Sequence, residues 1–361
     1  MTWIWQSRAW PRFDYDRAAV ETALADAMAA IGEIRGLQRG LGAEDRETIT
    51  LQMLVQEVVA SFGIEGVALQ ASEIEASVIT SLKHRNRKTL DRRSDAIVDV
   101  MIKARAAETK LTATELKNWH ALLFRGIELE DRGTWRSFEL DIVRSSIPGK
   151  DDVLFKAPPP DRLSDEMDAF LEWLDTEKDL AVPIRAALAH LWFESIHPFS
   201  DGNGRIGRAI IEHVFARAEA LPFALSTQIE KDKRAYYGAL QAGRRDVGET
   251  IDATPFVLWF LQTVADAAET ARRDTLFLVQ RNRFFVTHQD HLSARQRNVL
   301  ERLFAQGAAR IEDGISARSY AKITGVSGPT ATRDLTALER MGALQRSDAG
   351  GRSTIYRLIL D

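Results

Sequence analysis

Helical spacing dominates the hydrophobic pattern of this 361-residue chain. In YDRAAVETALADAMAAIGEIRGLQRGL, Val20, Leu24, Met28 and Ile31 recur at intervals of three and four, which predicts one buried helix face. TATELKNWHALLF opens with Thr112 and Glu115 at capping-box spacing and continues with Leu116, Trp119 and Leu123. PIRAALAHLWFESI places Ile184, Leu188, Leu191, Trp192 and Ser195 on one stripe, with Pro183 at a first-turn position. One stretch departs from this period. In WRSFELDIVRSSIPGKDDVLFKAPPP, Phe138, Leu140 and Ile142 alternate with polar residues, a Pro148-Gly149 turn follows, and the β-prone VLF comes next. That predicts a β-hairpin ended by Pro158, Pro159 and Pro160.

Residues 278–291 read as a linker. Beyond them, 292–361 read as three short helices and a two-stranded wing with Ala349, Gly350 and Gly351 at its tip. Ala331, Leu335 and Leu338 supply the buried stripe of the third helix, and Gly342 its C-terminal cap. This is the element order of a winged helix-turn-helix. No repeat recurs at a period of about 20–50 residues. The expected fold class is mainly α, with small β additions.

Composition changes little. The apolar fraction of 45% and charged fraction of 28% are those of a globular chain. A net charge of −4 gives no overall attraction to nucleic acid or anionic membrane. Having no cysteine, the chain has no disulfide, thiolate nucleophile or cysteine-ligated zinc. The opening MTWIWQSRAWPRFDYD lacks the layout of a secretory signal, and no apolar run approaches the ~20 residues of a membrane span. The expectation is a soluble cytoplasmic protein without a membrane partner.

The densest chemistry is HPFSDGNGRIGR, residues 197–208. Pro198 ends the preceding helix near His197. Asp201-Gly202 and Asn203-Gly204 are successive turn dipeptides, and a helix with Ile206, Ile210 and Val214 on one face follows. Glycine-rich backbone and a helix N-terminus together aim N–H groups into an anion nest. Arg205 and Arg208 oppose the helix dipole there unless an anion is bound, and arginine binds phosphate in a fork. Asp201 is a hard oxygen ligand suited to Mg²⁺, and His197 is suited to accepting a proton at neutral pH. The cluster asks for nucleotide phosphate, Mg²⁺ and a hydroxyl to deprotonate. By itself DGNG is commonly a surface turn. The spacing from Asp201 to Glu212 mimics a calcium loop but fails, with Ile206 where glycine is required. There is no P-loop and no HExxH.

HPFSDGNGRIGR resembles the Fic-family motif HPFx[D/E]GNGRxxR at all nine fixed positions. WIWQ…WPRF, KAPPPDRL, KDKRAYYGAL and ATRDLTALERMGAL extend the resemblance to a subfamily with an N-terminal domain before the Fic core and a winged helix after it. It implies a helical N-terminal domain over 1–100, a catalytic core over 101–277 with a hairpin flap at about 142–155, a linker over 278–291 and a winged helix over 292–361. It also implies transfer of AMP from ATP, with Mg²⁺, to a hydroxyl side chain of a target protein held along the flap, or of the protein itself. Carried over by residue, His197 would be the base and Phe199 a buried brace. Asp201 would hold the metal. Gly202, Asn203 and Gly204 would form the anion hole, and Arg205 and Arg208 would take the β- and γ-phosphates.

SFGIEG, residues 61–66, resembles the family's inhibitory motif [S/T]xxxE[G/N] through Ser61, Glu65 and Gly66. Glu65 would pair with Arg208 and exclude the γ-phosphate; alone, the stretch reads as a helix end with a solvated glutamate. Tyr236 and Tyr237 resemble a tyrosine pair near the base of the nucleotide, or are simply a buried helix pair. In the last domain Thr330, Thr332, Arg333 and Thr336 lie off the apolar stripe and Arg346 and Arg352 flank the wing, where a DNA reader would place them. Docking of protein is the alternative. The basic KHRNRK, 83–88, reads as a solvated loop. The resemblance also allows a homodimer, a de-AMPylase using Glu65, transfer of another phosphate-linked group, or a DNA-binding regulator with ATP as ligand.

Overall fold

Residues 3–83, 92–147, 150–347 and 354–360 are described by the structure, a computed structural model. The chain divides into two compact units, Met1–Arg272 and Arg273–Asp361. The expected boundary near residue 100 therefore does not separate compact bodies.

The first unit begins with a short strand β1 (Phe13–Asp14) and helices α1 (Arg17–Arg39), α2 (Ala43–Ile64), α3 (Ala71–Lys83), α4 (Arg93–Ala106) and α5 (Ala113–Leu123). The hairpin β2 (Asp141–Ile147) and β3 (Lys150–Lys156) follows, then α6 (Leu163–Thr176), α7 (Val182–Ile196), α8 (Asn203–Ala216), α9 (Leu225–Lys231) and α10 (Lys233–Ala242). Strands β4 (Arg245–Asp246) and β5 (Ile251–Asp252) lead into α11 (Thr254–His288). β5 pairs in parallel with β1 and antiparallel with β4, tying the N-terminus to the end of this unit.

The helix signals act as the sequence suggests, with two informative differences. Thr112 caps α5, its hydroxyl accepting the Glu115 N–H at 3.1 Å, and Leu116, Trp119 and Leu123 are buried. In α1 the buried set is Val20, Ala27, Ile31 and Ile34, while Met28 is half exposed. At 100° per residue, Met28 stands about 80° from Val20, whereas Ala27 lies about 20° from it. In α7 no single stripe faces the core. Every residue from Pro183 to Ile196 is buried. A helix apolar on all sides becomes an interior helix, and its polar residues then need internal partners.

In the hairpin, Ile142 opposes Phe155. Phe138 and Leu140, expected within the first strand, precede it. The buried guanidinium of Arg136 spends Nη1 on the Phe138 carbonyl at 2.7 Å and Nη2 on the Pro158 carbonyl at 2.5 Å, clamping both ends of the hairpin before pairing starts. The Pro148-Gly149 turn and residues 84–88 of the basic run lie outside the described residues.

The second unit contains α12 (Ala294–Ala305), α13 (Ala308–Asp313), α14 (Ala317–Thr324), α15 (Gly328–Arg340) and the antiparallel pair β6 (Leu344–Arg346) and β7 (Tyr356–Leu358). The expected three helices are four, α13 being the addition. Ala331, Leu335 and Leu338 are fully buried, and Gly342 has the left-handed φ of 73° that ends α15. Residues 278–288, expected as linker, are helical and continue α11. They hold neither Gly nor Pro, and Phe284 enters the core of this unit, so nothing stops the helix. The wing tip, 349–351, lies outside the described residues.

Candidate functional site

The loop between α7 and α8 is fixed from several sides. His197 ends α7 with φ 51° and ψ 59°, a left-handed conformation that a non-glycine residue holds only under constraint. Its N–H donates to the Phe193 carbonyl and its own carbonyl accepts Arg136 Nε, both at 2.9 Å. Phe199 is fully buried and stacks on His120 with ring centres 4.0 Å apart. His120 Nδ1 accepts the Gly133 N–H, so Nε2 carries the proton and donates to the Asp201 carbonyl at 3.1 Å. Burial drops the His120 pKa to about 4 and keeps the ring neutral. The Asn203 amide bonds both the N–H and the carbonyl of Phe199, at 2.9 and 2.8 Å. Its side chain therefore braces the loop and leaves only its backbone to face an anion.

Gly202 takes φ 81°, and a Cβ there would stand 2.8 Å from Phe124. At Gly204 a Cβ would collide with Glu65 Oε1 and stand 3.0 Å from Arg208 Nη1. The first N–H groups of α8 have no intrahelical acceptor. Asp201 is exposed at the mouth of this nest, its Oδ1 accepting the Gly202 N–H at 2.5 Å and Arg205 Nη2 at 2.8 Å.

The two arginines differ. Arg205 is buried between the rings of Phe62 and Phe124, 5.1 and 4.9 Å from their centres. Arg208 is fully buried: Nε donates to Ser61 Oγ at 2.9 Å, and Nη2 to the Ser61 carbonyl at 2.6 Å and Glu65 Oε1 at 2.8 Å. Arg208 Nη1 is buried with no hydrogen-bond partner. The Ser61–Glu65 segment is presented by the last turn of α2, and Gly66 turns the chain away with φ 75°.

A cavity of about 830 Å³ opens in front of the loop. His197, Asp201, Gly202, Asn203, Gly204 and Glu65 line it, facing Tyr236 and Tyr237 of α10 and Ile142 and Phe155 of the hairpin. Arg205, Arg208 and Ser61 are buried and do not line the cavity, and Gly66 is exposed beside Glu65. The tyrosine pair splits. Tyr236 is buried, its hydroxyl 2.8 Å from His190 Nε2, while Tyr237 is 46% exposed. Among the described residues no group of three His, Asp or Glu side chains could hold a metal. In the second unit Thr332 and Arg333 are exposed on α15; Arg352 lies outside the described residues.

Sequence reading missed Arg136, His120, His190, Glu194 and Arg244. Arg136 and His120 carry no local signal, since their partners are remote in sequence. His190, Glu194 and His197 do: intervals of four and three place them on one helix face.

Residues 110–215 match the profile of the "Fic/DOC family", and residues 3–83 match one described only as a domain of unknown function, DUF4172. The chain is 27% identical over 248 residues to a protein adenylyltransferase Fic of Culex quinquefasciatus, covering 66% of this chain and 44% of that one. Over 87 residues it is 32% identical to a probable protein adenylyltransferase of Aquifex aeolicus, covering 24% and 26%. The chain thus spans less than half the length of these curated relatives. Among solved structures, a Fic family protein from Desulfovibrio desulfuricans G20 superposes with a TM-score of 0.53 at 23% identity, covering 93% of this chain and 96% of that one. A Fic domain containing signaling protein from Bacteroides thetaiotaomicron gives 0.52 at 19%, covering 69% and 97%. These two likenesses bear on the fold.

Proposed function

This chain carries a Fic domain at residues 110–215, and on that premise we propose that it is a protein adenylyltransferase held in check by its own Glu65. The observation that carries the reading is Arg208: a fully buried guanidinium beside the glycine nest, one nitrogen unpartnered, with a carboxylate from another helix standing where a phosphate would go. Burying an unsatisfied donor costs about 1–3 kcal/mol, which a phosphate oxygen would recover.

In this reading ATP enters the cavity with its phosphates over Gly202–Gly204. His197 takes the proton of the target hydroxyl, the oxygen bonds to the α-phosphorus, and the bond to the β-phosphate oxygen breaks, releasing pyrophosphate. Arg205 supports the loop by fixing Asp201. Asp201 fits Mg²⁺ of the kind that arrives with a nucleotide, because that ion takes one or two carboxylates and draws its other ligands from phosphates and water. When bound, the ion neutralises charge on the phosphates. Glu65 blocks the productive placement of the γ-phosphate. Tyr237, the exposed member of the pair, is the one available to a nucleotide base.

The test is transfer from ATP labelled at the α-phosphate, with Mg²⁺, to the protein itself and to a lysate. We expect label from Glu65→Gly and its loss by about 10²–10⁴ in Glu65→Gly/His197→Ala. Label that survives loss of His197, or no label with ATP still bound, would move the reading to removal of AMP, another donor, or a regulator that uses ATP as ligand.

A second reading concerns the second unit. α14 and α15 meet through a tight turn at Gly325, φ 72°, and α15 exposes Thr332 and Arg333 near its start. That arrangement supports a winged helix-turn-helix binding duplex DNA. Binding by the full chain should fall with salt and weaken in Arg333→Ala; salt-independent or absent binding would favour a protein partner.

A further inference from the structure

We propose that Glu194 is the positioning residue of His197: its carboxylate fixes the imidazole proton on Nδ1 and leaves Nε2 bare to accept the proton of the attacking hydroxyl. This deepens the transferase reading and rests on it for its kinetic consequence, though not for its geometry.

His197 Nδ1 faces two groups, both from Glu194. The main-chain carbonyl lies at 3.4 Å and carboxylate Oε2 at 3.6 Å. A carbonyl and an ionised carboxylate only accept hydrogen bonds. An unprotonated Nδ1 would place a lone pair against two oxygens, so the proton belongs there. The backbone makes this orientation durable, since the left-handed His197 is pinned through its N–H by Phe193 and through its carbonyl by Arg136.

Glu194 is itself confined. Its Oε1 is buried without a hydrogen-bond partner and lies against the backbone of α8 at Gly207, where a Cβ would stand 2.9 Å from Oε1 and 2.9 Å from His190 Nδ1. Position 207 is open in the family motif, yet here only glycine lets the two side chains close onto the helix. Arg244 completes the enclosure: Nη2 donates to the Glu194 carbonyl at 2.8 Å and Nε to Ser195 Oγ at 2.9 Å, while its guanidinium covers the Phe155 ring at 4.4 Å. Burial alone would raise the Glu194 pKa, but His197, His190 and Arg244 overcome it and hold the carboxyl ionised, at about 2. The other charged or titratable groups near this cluster are Arg208 on α8, Tyr236 and Tyr237 on α10 and Glu65 after α2. Burial keeps His190 neutral, with a pKa near 4, so it brings no competing positive charge to Glu194 at neutral pH. A bare Oε1 does not by itself set Glu194 apart, since Glu212 Oε1 is also unpartnered; what distinguishes Glu194 is that its Oε2 faces His197 at the cavity.

The test uses the full chain carrying Glu65→Gly. Seven histidines make ¹⁵N-histidine spectra tractable, with His197 assigned by its loss in His197→Ala. In the parent protein at neutral pH, His197 should show a protonated Nδ1 and an unprotonated Nε2. In Glu194→Ala the tautomer ratio should move severalfold toward Nε2–H. kcat for transfer should fall roughly 10–100-fold with KM for ATP within about twofold, and Glu194→Gln, which keeps an acceptor oxygen, should recover part of the loss. A parent His197 protonated on Nε2, or a folded Glu194→Ala with unchanged tautomer and kcat, would overturn the proposal. Should Glu194→Ala not fold, Glu194→Gln and the parent spectrum decide it. Because the spectrum needs no turnover, a correct tautomer without transfer would sink the transferase reading alone.

Discussion

Two arginine–carboxylate pairs each join helices, one in each unit, and they are built to opposite ends. In the second unit, Arg295 forks onto Asp334 with Nε–Oδ2 2.7 Å and Nη2–Oδ1 3.1 Å, and the Tyr320 hydroxyl donates to Oδ2 at 2.9 Å. Asp334 has both oxygens used and Arg295 reaches solvent, so every group is satisfied. In the first unit, Arg208 is fully buried, donates from Nε and Nη2 to Ser61 and from Nη2 also to Glu65, and leaves Nη1 without a partner. A saturated pair is a clasp. A buried arginine with valence left over, paired with an exposed carboxylate beside a glycine nest and a cavity, supports our proposal that Glu65 stands in for another anion. Both pairs have short contacts; what separates them is the valence left over.

Breaking each pair should therefore give different results. The largest effect is expected at Glu65. Glu65→Gly should raise AMP transfer by at least about tenfold. Without nucleotide it should lower the melting temperature, because Arg208 loses its countercharge. ATP with Mg²⁺ should restore that temperature by a margin exceeding the shift in the unaltered protein. Differential scanning fluorimetry with and without ATP reads this, and an equal ATP shift in both proteins would count against a phosphate taking the place of Glu65.

Asp334→Ala should do the reverse. It strands the hydroxyl of the buried Tyr320 at a cost of about 1–3 kcal/mol, lowering the stability of the second unit in urea while transfer by the Glu65→Gly protein is unchanged. A smaller effect comes from pH. Burial lowers the pKa of His120, His190 and His213 to about 4, well under the unfolded value of about 6.5. The unfolded chain binds protons in that window and the native chain does not, so stability should fall as pH drops from about 6.5 toward 4. Glu212 works with the opposite sign. Burial, pushed further by Glu57 and opposed by Arg105, raises it to about 7, so it costs stability as pH rises from about 4.5 to 7. Burial raises the Glu57 pKa as well, so three histidines stand against two carboxyls, and the acid loss should still dominate in a melting series across pH. Glu212→Gln should steepen it.

Much of this was legible in the chain before its structure. The motif at 197–208 and the SFGIEG stretch lie more than a hundred residues apart, yet each resembled part of one site, and Arg208, Ser61 and Glu65 meet. Capping at Thr112 and the stripe of α15 follow from local rules. Other features depend on packing, which spacing does not encode. Arg205 and Arg208 are equivalent in sequence, but Phe62 and Phe124 draw the first into an aromatic slot with Asp201. Asn203 and Tyr236 turn inward because Phe199 and His190 offer them partners. The stretch 278–288 reads as a linker, but it has no helix breaker and Phe284 supplies a reason to stay folded. Glu194 was overlooked because α7 was read as one-sided; an interior helix gives functional weight to each of its few polar residues.

The central claim, that Glu65 restrains transfer through Arg208, is tested most directly by a double-mutant cycle. The initial rate of transfer from α-labelled ATP would be compared among the unaltered protein, Glu65→Gly, Arg208→Ala and the double variant. The account predicts that Glu65→Gly raises the rate at least about tenfold when Arg208 is present and has little effect when it is absent. The same gain in both backgrounds would contradict it, because Glu65 would then be acting on something other than Arg208.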